Sequence, residues 1–203
     1  VTLDLLMALM AFAFVTSITP GPNNLMLMAS GANFGFRRTL PHMLGIGVGF
    51  VVMVVLVGLG LVQVFQAYPV SYTVLMVLSV VYLLFLAWKI ATSAPPDQVE
   101  QVGTPFTFLQ AALFQWVNPK AWAMALTAVS VYSPSREFGA IVLVAVIFGL
   151  INMPSVSTWT LLGQQMQRVL TNPQRLRRFN VAMALLLLAS LYPVVFANGV
   201  TAA

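Results

Sequence analysis

Lys120 stands in the middle of an apolar run, Phe106 to Tyr132, directly after Asn118 and Pro119. A lysine at the centre of a membrane span costs about 2.5–3.5 kcal/mol on insertion scales, so it calls for a partner or a function. An ammonium at that depth is suited to receive a carboxylate. Two placements are open. Lys120 sits near the bilayer midplane, or Phe106–Val117 lies along the interface and the lysine stays beside the headgroups. Phe106, Thr107, Gln110, Gln115 and Trp116 would suit such an interfacial segment.

The second feature is Thr19-Pro20-Gly21-Pro22-Asn23-Asn24. Each proline removes a backbone donor, Gly21 adds a hinge, and Asn23 or Asn24 can cap a new helix from near Leu25. A single helix from Leu3 to Phe34 would run roughly 45 Å, against a hydrocarbon core of about 30 Å. The break therefore falls inside the membrane. The carbonyls before it and the N–H groups after it cannot face lipid, and must line protein or a water-filled cavity. The plainer alternative is a proline kink that only shapes packing. Asn152, two residues before Pro154 in a later apolar run, either faces the same cavity or bonds one helix to another.

Other polar residues carry less. His42 is the single histidine and follows Arg37-Arg38 at the mouth of a span, where an interfacial polar group is expected, the alternative being a proton carrier. Asp4 is the one acid within a span and lies at its outer end. The Gly45-x-Gly47-x-Gly49 run has no strand before it and sits in an apolar helix. It reads as a surface for close helix packing through Gly45 and Gly49, and not as a dinucleotide fingerprint. One histidine, no cysteine and four acids supply neither a metal-ligand cluster nor paired carboxylates. No Gly-x-Ser-x-Gly turn is present. An enzyme is not expected, nor a metal or cofactor. The arginines at 175, 177 and 178 are those of a cytoplasmic loop, so no nucleic-acid partner is expected.

The elements that must hold these residues follow from composition. Of 203 residues, 60% are hydrophobic and 6% charged, against about 25% charged in a soluble domain. This excludes a free soluble domain. The first apolar stretch begins at once, with Asp4 and no leading basic region, which is not the layout of a signal peptide. Six apolar segments are expected, all helical because an open strand edge cannot be satisfied in hydrocarbon: 3–34, 40–65, 70–88, 106–132, 138–162 and 179–196. Seven basic residues, Arg37, Arg38, Lys89, Arg168, Arg175, Arg177 and Arg178, fall on one side, against Arg136 on the other. The seven mark the cytoplasm and put both termini in the periplasm.

Pro22 and Pro119 stand 97 residues apart, and each opens a set of three spans. An odd number of spans inverts the second set, and paired broken helices in two halves point to a transporter. The expected fold is an all-α polytopic membrane protein with six transmembrane helices in two inverted three-helix repeats. The first helix of each repeat is broken at its proline motif. A single transmembrane transporter domain covers 1–203, with repeat one over 1–93, a polar linker over 94–105 and repeat two over 106–203.

Thr19-Pro-Gly-Pro-Asn-Asn24, Gly35-Phe-Arg-Arg38, Ala87-Trp-Lys-Ile-Ala-Thr-Ser93 and Asn118-Pro-Lys120 together resemble the LysE/RhtB family of bacterial amino-acid exporters. The stretch 87–93 looks most like its cysteine/O-acetylserine branch. The resemblance implies secondary efflux across the bacterial inner membrane, driven by the proton gradient, by a homodimer. It assigns no proton carrier. The expected function is export of small neutral amino acids or derivatives, cysteine/O-acetylserine-like or homoserine/threonine-like, by alternating access. The expected binding residues are Thr19, Pro20, Gly21, Pro22, Asn23, Asn24, Asn118, Pro119, Lys120 and Asn152. Carbonyls freed over 18–21 would take the substrate ammonium, and Lys120 with the new helix N-terminus would take its carboxylate. The alternative is a membrane assembly or integrity protein whose kinks are structural.

Overall fold

The computed structural model describes residues 2–93, 104–133, 135 and 137–190. Most of the linker, Arg136 and both chain ends, with the far end of the sixth apolar segment, lie outside the described residues. The described secondary structure is helical: α1 (Leu3–Ile18), α2 (Pro22–Leu56), a π turn (Val57–Leu61), α3 (Val62–Ala67), α4 (Pro69–Ala91), α5 (Phe108–Phe114), a 3₁₀ turn (Gln115–Val117), α6 (Pro119–Tyr132), α7 (Phe138–Met166) and α8 (Pro173–Ala189).

Continuous as it is in outline, α2 folds back on itself. Gly35 has φ +78° and ψ +170°, a conformation open almost only to glycine. Ser30 Oγ and Thr39 Oγ1 lie 2.9 Å apart, whereas nine residues of straight helix span about 13.5 Å. Leu27, Met43 and Ile46 share one buried cluster, which closes the hairpin further along. The gap expected between the first two apolar segments (residues 35–39) is thus a single hinge residue. The first N–H beyond it, that of Phe36, donates to Gln164 Oε1 on α7 at 2.6 Å.

Both breaks are present, and their details follow from local chemistry. After Thr19 the chain leaves the helix and re-enters it at Pro22, with Gly21 as the uncapped boundary residue. The helix therefore begins three residues earlier than an asparagine cap would place it. Proline at the first helical position loses nothing, since its missing N–H would be unpaired there. At the second break Asn118 caps α6 by accepting the Lys120 N–H at 3.1 Å. On the near side, Thr107 and Gln110 form a reciprocal capping box that starts α5. The arginines at 175, 177 and 178 lie on the first turns of α8, which starts six residues before the expected 179.

Two apolar cores result. The first joins Leu9 and Ala13 of α1, Phe50 and Met53 of α2, Ala121 and Ala125 of α6, and Phe148 of α7. The second joins Leu25 and Ala29 of α2, Leu83 and Leu86 of α4, Phe114 of α5, and Met183 and Leu187 of α8. Each broken segment thus sends one half to each core. Glycines let the backbones close up between them. A Cβ on Gly31 would run into the Thr160 carbonyl, and one on Gly163 into the Met28 carbonyl. Gly45 and Gly49 receive α5, at the Phe108 carbonyl and at Ala112, which is the close packing their spacing predicts.

Outward faces are apolar as well. Val74, Val77, Val81 and Leu84 of α4, and Leu143, Val146 and Leu150 of α7, are exposed. Three stretches, Pro22–Leu61, Pro69–Ala91 and Phe138–Met166, are long and apolar enough to cross a membrane. An exterior of this kind is tolerated only when hydrocarbon is the solvent.

The hinge yields a test. Gly35→Ala should destabilise the detergent-solubilised protein by about 1–3 kcal/mol, the cost of forcing a side chain into that region. Gly139→Ala, where an added Cβ would meet nothing within 4 Å, should not. Thermal unfolding followed by circular dichroism reads both; equal melting temperatures for the two variants would refute a strained hinge.

Candidate functional site

The breaks, about a hundred residues apart in sequence, meet. Lys120 Nζ donates to the carbonyl of Thr19 at 2.6 Å and to that of Pro20 at 3.3 Å, with Thr19 Oγ1 at 3.4 Å. The side-chain amides of Asn23 and Gln115 bond each other reciprocally at 2.9 and 3.3 Å. Gly21 makes room for the lysine: a Cβ there would stand 2.6 Å from Lys120 Cδ. Every carbonyl released at the end of α1 is taken up by the protein itself. Asn24 Nδ2 donates to the carbonyls of Ser17 and Thr19, each at 2.8 Å, and Trp159 Nε1 donates to that of Ile18 at 3.0 Å. The second break has a matching indole, Trp122 Nε1, on the Trp116 carbonyl at 2.8 Å.

Against this junction lies a cavity of about 30 Å³. That is room for a water molecule or two and not for an amino acid. Gly21, Asn23, Asn24, Asn118, Lys120 and Asn152 line it, joined by Thr16, Ser17, Phe50 and Met124. Of the ten expected residues, six face the cavity. Thr19 and Pro20 hold the lysine through their carbonyls, while Pro22 and Pro119 start α2 and α6. Asn152 is the member from α7, so of its two readings the cavity is the one it occupies.

Of the segment 106–117, Ala111, Phe114 and Gln115 are buried, while Thr107, Phe108, Leu109, Gln110 and Leu113 are exposed. Two expectations change. The carbonyls over 18–20 are not free for a substrate ammonium, because Trp159, Asn24 and Lys120 already use them. His42 is no interfacial group, being 1% exposed. Gln115 and Trp159 are the site residues that sequence reasoning missed. A glutamine and an indole within apolar runs were the available signal, since each carries donors that hydrocarbon cannot satisfy.

Comparisons with known proteins identify relatives of the chain. Residues 14–190 match the family described as LysE type translocator. The chain is 30% identical over 189 residues to a cysteine/O-acetylserine efflux protein of Escherichia coli O139:H28, covering 92% of this chain and 95% of that one. It is 30% identical over 188 residues to the proteins of the same description from Escherichia coli K12 and Shigella sonnei, with the same coverage. No solved structure matches it. These relatives are efflux proteins and not enzymes, and the family resemblance read from the sequence is borne out. The chain is an integral membrane protein of the LysE type translocator family.

Proposed function

We propose that this protein exports small neutral amino acids or their derivatives, of the cysteine/O-acetylserine or homoserine/threonine kind, across the bacterial inner membrane by alternating access. The carrying observation is the Lys120 ammonium seated on the Thr19 and Pro20 carbonyls at the meeting of the two breaks. A zwitterion inserts there by exchange. Its carboxylate draws off the lysine, and its ammonium takes the carbonyls the lysine leaves. The N-terminus of α2, without a side-chain cap, adds partial positive charge on the carboxylate side. The amides of Asn23, Asn118 and Asn152 can donate or accept as the substrate requires. With about 30 Å³ free, admitting an amino acid requires the helix halves to part.

The same reading takes the chain as six spans in two inverted repeats. Its support is the 97-residue spacing of Pro22 and Pro119 and the way each broken helix divides between the two cores. The seven basic residues on one side put both termini in the periplasm. A homodimer and coupling to protons complete the proposal. Export itself rests on the family and its efflux relatives.

Three outcomes test it. Lys120→Ala should reduce efflux from preloaded cells to the level of cells lacking the protein. Lys120→Arg should recover little, because a planar guanidinium cannot reproduce a point-like ammonium. Gly21→Ala, which crowds the lysine, should fall between them. Membrane levels are matched by immunoblot, and wild-type efflux by Lys120→Ala would remove the lysine from the mechanism. In everted vesicles, neutral amino acids should be accumulated and lysine or arginine refused, since the cavity carries one cation and no acid; the reverse preference defeats the reading. A reporter fused after Ser93 should be cytoplasmic and one after Ala203 periplasmic, and both in one compartment would overturn the six-span topology.

A further inference from the structure

A second and larger cavity, of about 380 Å³, opens between α2, the end of α4 and the chain entering α5. Its size is that of small-molecule pockets. Along α2 its wall is Met26, Ala29, Ser30 and Asn33, one face of a helix at three- and four-residue spacing. The first turn of that same arm, Asn23 and Asn24, lines the cavity between the breaks. Nine residues of helix, from Asn24 to Asn33, cover about 13.5 Å. The two cavities therefore follow one another along a single helical arm.

Among the described residues, the polar groups that line the larger cavity are cationic or neutral. Lys89 lines it, its Nζ 5.3 Å from the centroid of the Phe106 ring. His42 packs edge-on against the same ring at 5.2 Å. Neither ring nitrogen of His42 has a hydrogen-bond partner among the described residues, although the residue is buried. An unpaired buried donor or acceptor costs about 1–3 kcal/mol, and such a group calls for an explanation. The acids among the described residues, Asp4 and Glu137, lie at the opening ends of α1 and α7, and neither lines the cavity. Phe106 belongs to the non-helical stretch before α5. Turning its ring aside lets Lys89 and His42 face one space.

We infer that this cavity is a second binding site, where Lys89 and His42 receive the carboxylate of the amino-acid substrate before it moves along α2 to the breaks. The inference rests on the export reading and extends it from one site to two. Lys89 lies at the cytoplasmic end in that reading, so the cavity is where cargo is loaded. Ala29 and Ser30 keep the wall low for a passing ligand, and the apolar side of the cavity accommodates its side chain.

The test uses the full chain in nanodiscs of neutral phosphatidylcholine and radiolabelled cysteine kept reduced. The chain contains no cysteine, so the label cannot be held by a disulfide. Wild type should bind two equivalents, Lys89→Gln one, and Lys89→Arg two. In cells, Lys89→Gln should raise the internal concentration that half-saturates efflux by about tenfold, the loss of one charge-assisted hydrogen bond, with a smaller effect on maximal rate. One equivalent in wild type, removed by Lys120→Ala and untouched by Lys89→Gln, would overturn the second site and leave the export reading standing. Loss of the second equivalent when phosphatidylglycerol is added would make the cavity a lipid-headgroup site and also overturn it. Absence of both binding and efflux in wild type would overturn the export reading and this inference with it.

Discussion

Backbone polar groups released inside hydrocarbon have no water to turn to, and the structure is organised around satisfying them. Two proline motifs interrupt two apolar segments, and each interruption frees carbonyls on one side and N–H groups on the other. The protein answers with side chains of unusual range. Lys120 reaches from the second break to the carbonyls of the first, Asn24 folds back onto Ser17 and Thr19, and indoles from Trp159 and Trp122 take the Ile18 and Trp116 carbonyls. The Asn23–Gln115 pair ties the two breaks together directly. Because the partners lie on different helices, the breaks cannot be moved apart without exposing polar groups to one another or to water.

That network is possible only because the helices around it approach closely. Glycine at 31 and 163 places α2 and α7 in backbone contact, and glycine at 45 and 49 does the same for α2 and α5. Without the first contact Trp159 would not reach Ile18, and Asn152 would not face the cavity. The Gly35 hinge supplies the other condition. By folding α2 into a hairpin it lets one arm carry the break while the other packs in the opposite core. Apolar packing and polar satisfaction are thus not separate here, since small residues chosen for packing set the distances at which amides and the ammonium can bond.

The same network fits the proposed transport. Its carbonyls, amides and one ammonium are hydrogen-bonded to each other. In the proposed mechanism a zwitterionic substrate exchanges with those contacts, its carboxylate meeting the ammonium and its own ammonium the carbonyls.

Much of this was legible in the residues alone. Low charge and long apolar runs dictate a helical membrane protein, because hydrocarbon admits no unpaired backbone and few charges. The proline motifs marked both breaks, and a lysine within an apolar run beside one of them stands where the two breaks meet. What no local pattern could supply was which group satisfies which. Asn23 was read as a cap and is instead the partner of Gln115, 92 residues away. The carbonyls over 18–20 looked free for a ligand, yet their donors come from residues 24, 120 and 159, two of which lie 101 and 141 residues from the carbonyls they bond. His42 lies beside two arginines in sequence and is buried in space, since the single-residue hinge at Gly35 turns the second arm of α2 inward at once. Periodicity and breaker residues are properties of neighbours along the chain, whereas hydrogen-bond partners and burial across a broken helix are set by helices that meet only once the whole bundle has closed.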